Sequence, residues 1–235
     1  MIRKCTFVFA TALWASIVNA QYRTVQYPNI VQSSHPELTI ERISFFIDST
    51  VVDLSIVNRL PEGGWFCTDN NTYIEDAHNL GRFKLIRAIG IPSCPDVYRF
   101  KRVDEELKFS IVFPGLPGNP QLLNLIEACD KACFSFRGII LDERLNRDIS
   151  LFDKGVKCYA DDKLEDAIEI FSRIVEDIPA NPTHVYGYSF YNLIRIYFQK
   201  GDKKTAQLWF EQLEKSGLPN KQYFIDALKD EGINF

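Results

Sequence analysis

A chain of 235 residues has room for one large or two modest units. Its hydrophobic share of 46% is that of a packed globular protein rather than a disordered one. The net charge is −4, from 27 basic and 31 acidic residues, and no basic run with interleaved aromatics occurs, which argues against nucleic acid as a partner.

The first twenty residues read as a targeting segment. Arg3 and Lys4 give a positive start, Phe7 to Val18 is an apolar run, and Val18-Asn19-Ala20 places compact residues before a cleavage site. Cleavage is expected before Gln21. Without Arg3 and Lys4 the mature chain has 25 basic and 31 acidic residues, a net −6. Nothing later is long and apolar enough to span a bilayer. The expectation is an exported protein, periplasmic or secreted, with no transmembrane segment once the leader is removed. Export makes disulfides possible. Five cysteines follow the leader: Cys67, Cys94, Cys129, Cys133 and Cys158. An odd number leaves at least one unpaired. Cys129 and Cys133 can close a small loop, Cys67 and Cys94 are a second candidate pair, and Cys158, at a helix-packing position, is expected as a buried thiol.

Residues 21–37 are polar, with Pro28 and Ser33-Ser34, and read as a leader into the fold. From Leu38 the chain turns β-branched and aromatic. Val52, Leu54 and Ile56 alternate with Asp53 and Ser55, the period of a strand with one face buried. Ile43 to Ile47, Trp65 to Cys67 and Thr72 to Ile74 are further candidate strands, and Phe83 to Ala88 reads as a single one. Ile91 to Pro95 must be loop, because its two prolines cannot serve an inner strand. Leu107, Phe109, Ile111 and Phe113 fall on one face of the clearest strand, ended by Pro114-Gly115. Leu122 to Ile126 is a short apolar element and Phe134 to Leu141 a last strand. Short strands at near-regular spacing with no helical run between them predict an antiparallel β-sandwich over 38–142. The pattern of Trp65, Tyr73-Ile74-Glu75-Asp76, Phe83-Lys84-Leu85, Gly90-Ile91-Pro92 and Phe109 to Pro114 resembles small immunoglobulin-like domains of exported Bacteroidetes proteins. That resemblance implies no activity.

Asp142 to Asp148 is charged and joins this region to a helical one, 143–235. Between Leu151 and Gly217 a helix–turn–helix unit reads twice. Gly155, Cys158, Tyr159, Ala167, Phe171, Ile174 and Pro179 stand in the first copy. Ile194, Tyr197, Phe198, Ala206, Phe210, Leu213 and Pro219 stand in nearly the same order in the second. Gly155, Ala167 and Ala206 are small residues where helices cross closely; Phe171 and Phe210 lie one turn on, along the same face. This resembles the tetratricopeptide repeat (TPR) family, although Ala167 and Ala206 are 39 residues apart against a period of roughly 34. Copy two carries Ile194 where the family prefers Gly, and copy one carries Cys158 where it prefers Tyr. The fold class expected is therefore α+β, an immunoglobulin-like sandwich followed by a TPR-like α-helical array. Lys221 to Asp230 reads as a closing helix over the open end of the stack.

Catalytic chemistry is hard to find. The three histidines, His35, His78 and His184, fall in a leader, a turn and a connection, and no metalloprotease, nucleophile-elbow or phosphate-loop motif occurs. The acidic run from Asp161 to Asp166 lacks the glycine and spacing of a calcium loop. The expectation is no cofactor and no enzymatic activity. The TPR resemblance implies that the first helix of each unit lines a partner-binding groove. Carried over, it names Phe152, Val156 and Tyr159 in copy one, and Tyr188, Tyr191, Asn192, Arg195 and Phe198 in copy two. The function expected is docking of a protein or peptide partner within an envelope or secreted assembly. The alternative is a carbohydrate- or surface-binding sandwich braced by the helices, with Trp65, Phe66 and Tyr73 as its stacking platform.

Overall fold

The computed structural model describes residues 21–77 and 81–235. The expected targeting segment, Met1 to Ala20, and most of the expected turn at His78 lie outside the described residues. The chain is α+β: antiparallel sheets come first and five helices follow. The strands are β1 (Gln21–Gln26), β2 (Ile30–Ser33), β3 (Leu38–Phe46), β4 (Ser49–Val57), β5 (Trp65–Phe66), β6 (Tyr73–Asp76), β7 (Arg82–Lys84), β8 (Arg87–Ile89), β9 (Tyr98–Arg99), β10 (Glu106–Pro114), β11 (Leu122–Ile126) and β12 (Ser135–Ile140). The helices are α1 (Glu143–Ala160), α2 (Leu164–Val175), α3 (His184–Gln199), α4 (Lys203–Lys215) and α5 (Lys221–Asp230).

Two five-stranded sheets, ordered β1-β3-β4-β10-β8 and β2-β12-β11-β6-β7, contribute to one hydrophobic core; β5 and β9 form a separate pair. Ile43, Phe45, Val52 and Leu54 of the first sheet meet Ile74, Leu125, Phe136 and Ile139 of the second in that core. Alternation dictates which side chains enter it. On β10, Leu107, Phe109, Ile111 and Phe113 are buried. On its other face Lys108 donates to Glu41 Oε1 at 2.7 Å and Ser110 donates to Asp53 Oδ1 at 2.6 Å.

Two readings of the sequence change here. Residues 21–37, expected as a polar leader, hold two edge strands: β1 pairs with β3 and β2 with β12. An edge strand is held by its backbone ladder and needs few apolar side chains; of β1 only Val25 is buried. Residues 83–88, expected as one strand, divide between the sheets. β7 pairs with β6 in the second sheet and β8 with β10 in the first. The chain crosses at Leu85 and Ile86, whose N–H groups donate to Thr72 O and Val112 O, both at 2.8 Å.

The helical region begins at Glu143, where the sequence places it, and α1 starts about two turns before the repeat pattern at Leu151. Asp142 caps α1, its carboxylate accepting from Leu145 N–H at 2.8 Å. Ala167, Phe171 and Ile174 of α2 and Ala206, Phe210 and Leu213 of α4 share a second core with the apolar side of α3. Gly155 is needed for the crossing of α1 and α2: a Cβ there would lie 2.7 Å from Phe171 Cε1. The two regions meet without a linker. Asn146 in the first turns of α1 accepts from Asn29 N–H at 2.7 Å and donates through Nδ2 to Ile140 O at 2.8 Å. Arg23 of β1 donates to Pro120 O at 2.9 Å and to Leu141 O. Among the described residues no helix is long and apolar enough to cross a membrane.

Candidate functional site

Helices α1, α3 and α5 share one face, and most of the residues expected to line a groove lie on it. Tyr188, Tyr191 and Arg195 are spaced three and four apart, which puts them along one side of α3. Tyr188 packs at 6.2 Å from the Phe152 ring of α1 and, edge-on, at 4.9 Å from the Phe224 ring of α5. Tyr191 donates its hydroxyl to Glu231, just beyond α5. The Arg195 guanidinium lies 5.8 Å from the Tyr159 ring centre and 5.2 Å from that of Tyr191, a cation–π arrangement with both. Its Nε is 2.6 Å from Glu231 Oε2. That is a close ion pair, but Nε has no well-directed hydrogen-bond partner, so the attraction is mainly charge on charge.

The remaining expected residues divide. Tyr159 donates to Gln199 Oε1 at 3.0 Å, a tie from α1 to the end of α3. Val156 stands on the surface, 41% exposed. Phe152 turns partly inward, 5.7 Å from the Phe171 ring. Asn192 donates its amide to Tyr188 O at 2.9 Å and so is engaged with its own helix. Phe198 packs against the C-terminal Phe235 at 6.4 Å, with Lys203 Nζ 5.6 Å from its ring centre.

Sequence reasoning missed what α5 and the tail contribute: Tyr223, Phe224, Glu231 and Phe235. One signal was present. Arg195 is the only Lys or Arg in α3, flanked by Ile194 and Ile196, and a partly buried guanidinium requires an anion nearby.

Burial and hydrogen bonding favour the protonated form of three phenols, Tyr186, Tyr188 and Tyr191. Burial, and then the bond to Glu231, pushes Tyr191 up to about 12. Tyr188 is raised chiefly by its hydrogen bond with Tyr223, 3.4 Å between the hydroxyl oxygens. Behind the face Tyr186 is fully buried and raised by burial and by Asp148, to which it donates at 2.7 Å. Arg144 and Arg147 flank that carboxylate at 3.8 and 3.2 Å. The face thus offers aromatic area, hydroxyl groups and one guanidinium that already has a counter-ion.

The alternative platform is not assembled. Phe66 is in the core, 5.8 Å from Phe109 and 6.0 Å from Phe134. Tyr73 lies on the second sheet with the Arg82 guanidinium 4.7 Å from its ring centre. Only Trp65 is well exposed, at 49%. Disulfides join Cys129 to Cys133 and Cys67 to Cys94; Cys158 is free and half-buried rather than fully buried. Among the described residues no group of three His, Cys, Asp or Glu side chains is placed to hold a metal ion. No family model, characterised protein or solved structure matches the chain in comparisons with each.

Proposed function

We propose that the chain is an exported, non-enzymatic docking protein, in which an immunoglobulin-like sandwich carries a TPR-like helical array. The partner is a protein or peptide segment rich in hydrogen-bond acceptors, seated on the face of α1, α3 and α5. One observation carries this reading: side chains from three successive odd-numbered helices, Tyr159, Tyr188, Tyr191, Arg195 and Tyr223, form a continuous aromatic and polar face. Tyr and Arg concentrate binding energy at protein interfaces because each combines contact area with hydrogen bonding. Val156 and Tyr223 are the parts of the face with surface to spare, at 41% and 59% exposure.

The same geometry selects the test. Arg195 and Tyr191 are tied to Glu231, so removing either disturbs the fold as well as the face. Val156→Asp and Tyr223→Ala change exposed side chains instead. The full chain would be cross-linked in the cells that export it, and the captured partner titrated against each variant. Each substitution is expected to weaken capture by about 1 kcal/mol or more with the melting temperature nearly unchanged. Capture that survives both, or that is lost only with Trp65→Ala, would place docking elsewhere.

A further inference from the structure

The helices are attached at one end of β12, where Ile140 leads to Glu143. The opposite end of that strand follows the Cys129–Cys133 loop. There Trp65 is half-exposed and borders two cavities. One, of about 440 Å³, is walled by the Cys67–Cys94 bridge, Pro95 and the 127–132 segment. The other, of about 320 Å³, lies towards Asn58 and Phe100. Phe66 and Ala132 border both as well, so the two cavities adjoin beside the indole and are treated as one cleft. Volumes of this order suit a small organic ligand.

The polar lining of the larger cavity is mixed in sign. Asp69, Glu127 and Asp130 face it together with Lys131. Glu127 is buried to 6% exposure. Its Oε1 accepts from Asp69 N–H at 2.8 Å and its Oε2 from Phe134 N–H at 3.1 Å. A carboxylate oxygen has two acceptor positions, so these two bonds saturate neither oxygen. The walls are held in advance: Phe66, next to Trp65, is anchored in the core, and each side of the cavity carries a disulfide. Such preorganisation lowers the cost of binding.

We propose that this cleft binds a neutral saccharide, with a sugar ring's C–H face on the Trp65 indole and its hydroxyls on Glu127, Asp69 or Asp130, and Lys131. The indole face is electron-rich and attracts weakly positive C–H groups. Carboxylates accept from hydroxyls and the ammonium donates to them. An anionic ligand would meet three carboxylates for one ammonium. The carboxylates and the ammonium set beside the apolar wall of Trp65, Pro95 and Val97 suit a ligand with hydroxyl groups along its edge more than a wholly apolar one. The inference concerns the β region alone and does not depend on docking at the helical face.

The test uses the full chain, purified. It is screened on immobilised neutral and anionic oligosaccharides, then titrated calorimetrically with the neutral oligosaccharide that is best retained. Trp65→Ala is expected to lower that affinity about tenfold or more, and Trp65→Phe to keep part of it. Both should melt as the parent does, because the side chain is half in solvent. Tyr223→Ala, on the helical face, should bind as the parent does. The proposal is overturned if no neutral oligosaccharide is retained, if only anionic ones are, or if Trp65→Ala binds unchanged. It is equally overturned if Trp65→Ala abolishes capture of a protein while no saccharide is retained.

Discussion

Glu231 ties α5 to α3 through two different groups, the Tyr191 hydroxyl and the Arg195 guanidinium. The first of these has a pH signature. Tyr191 is raised from 10.0 to about 12, by burial first and by the Glu231 bond second. In the unfolded chain the phenol returns to the ordinary value. Between the two values the unfolded chain has lost the proton that the folded chain retains, so stability falls with rising pH. The hydroxyl's contribution is whole below pH 10 and is lost as pH climbs to about 12. Tyr191→Phe lacks that contribution at every pH. The gap between parent and variant in urea midpoint should therefore be widest below pH 10 and close through this window. A constant gap would mean that the hydroxyl does not hold α5 in place. Tyr186, also raised, titrates in both proteins and cancels in the comparison.

Helix packing turns on a glycine that the repeat pattern does not mark. A Cβ on Gly187 of α3 would lie 2.0 Å from Phe224 Cε2 of α5, so the two helices approach only because the side chain is absent there. Gly187→Ala is expected to destabilise the protein by about 1–3 kcal/mol through overpacking. Amide exchange should rise first in α5. An unchanged denaturation midpoint would count against the close approach. The contrast with Gly155 shows what a sequence can and cannot disclose. Ala167, Phe171 and Ile174 are matched at fixed spacing by Ala206, Phe210 and Leu213, and that register marks Gly155 as a crossing position although copy two has Ile194 there. The face of α3 follows from the spacing of Tyr188, Tyr191 and Arg195. Gly187 and Glu231 matter only through contacts between segments more than 35 residues apart, and no local period encodes those. The strands divide the same way. Alternation marks β4 and β10, whose inner faces are apolar. It misses β1 and β2, which are polar edges held by backbone bonds. It also merges β7 with β8, because a period of two records which side chains are buried and not which sheet the backbone has joined.

The two halves of the molecule are held together by the segment that looked least structured. Arg23 and Asn29, both in the polar stretch before Leu38, reach Leu141 and Asn146 where β12 gives way to α1. The joint is therefore a hydrogen-bonded seam. Asn146 is its centre: Oδ1 accepts from Asn29 N–H at 2.7 Å and from Asn29 Nδ2 at 3.0 Å, while Nδ2 donates to Ile140 O at 2.8 Å. Asn146→Ala removes all three bonds and leaves a half-buried N–H and C=O to find water. The expected loss is about 1–3 kcal/mol. The disulfides and both hydrophobic cores are untouched, so each half should keep its own fold. What changes is the coupling: amides in the first turn of α1 and at the end of β12 should exchange faster in the variant, while those of β4, β10 and α4 keep their parent protection. Asn146→Asp preserves the acceptor and loses the donor, and should fall between the two. If exchange at the seam is unaltered in Asn146→Ala, the halves are coupled through Arg23 instead, and Arg23→Ala should then produce the same local effect.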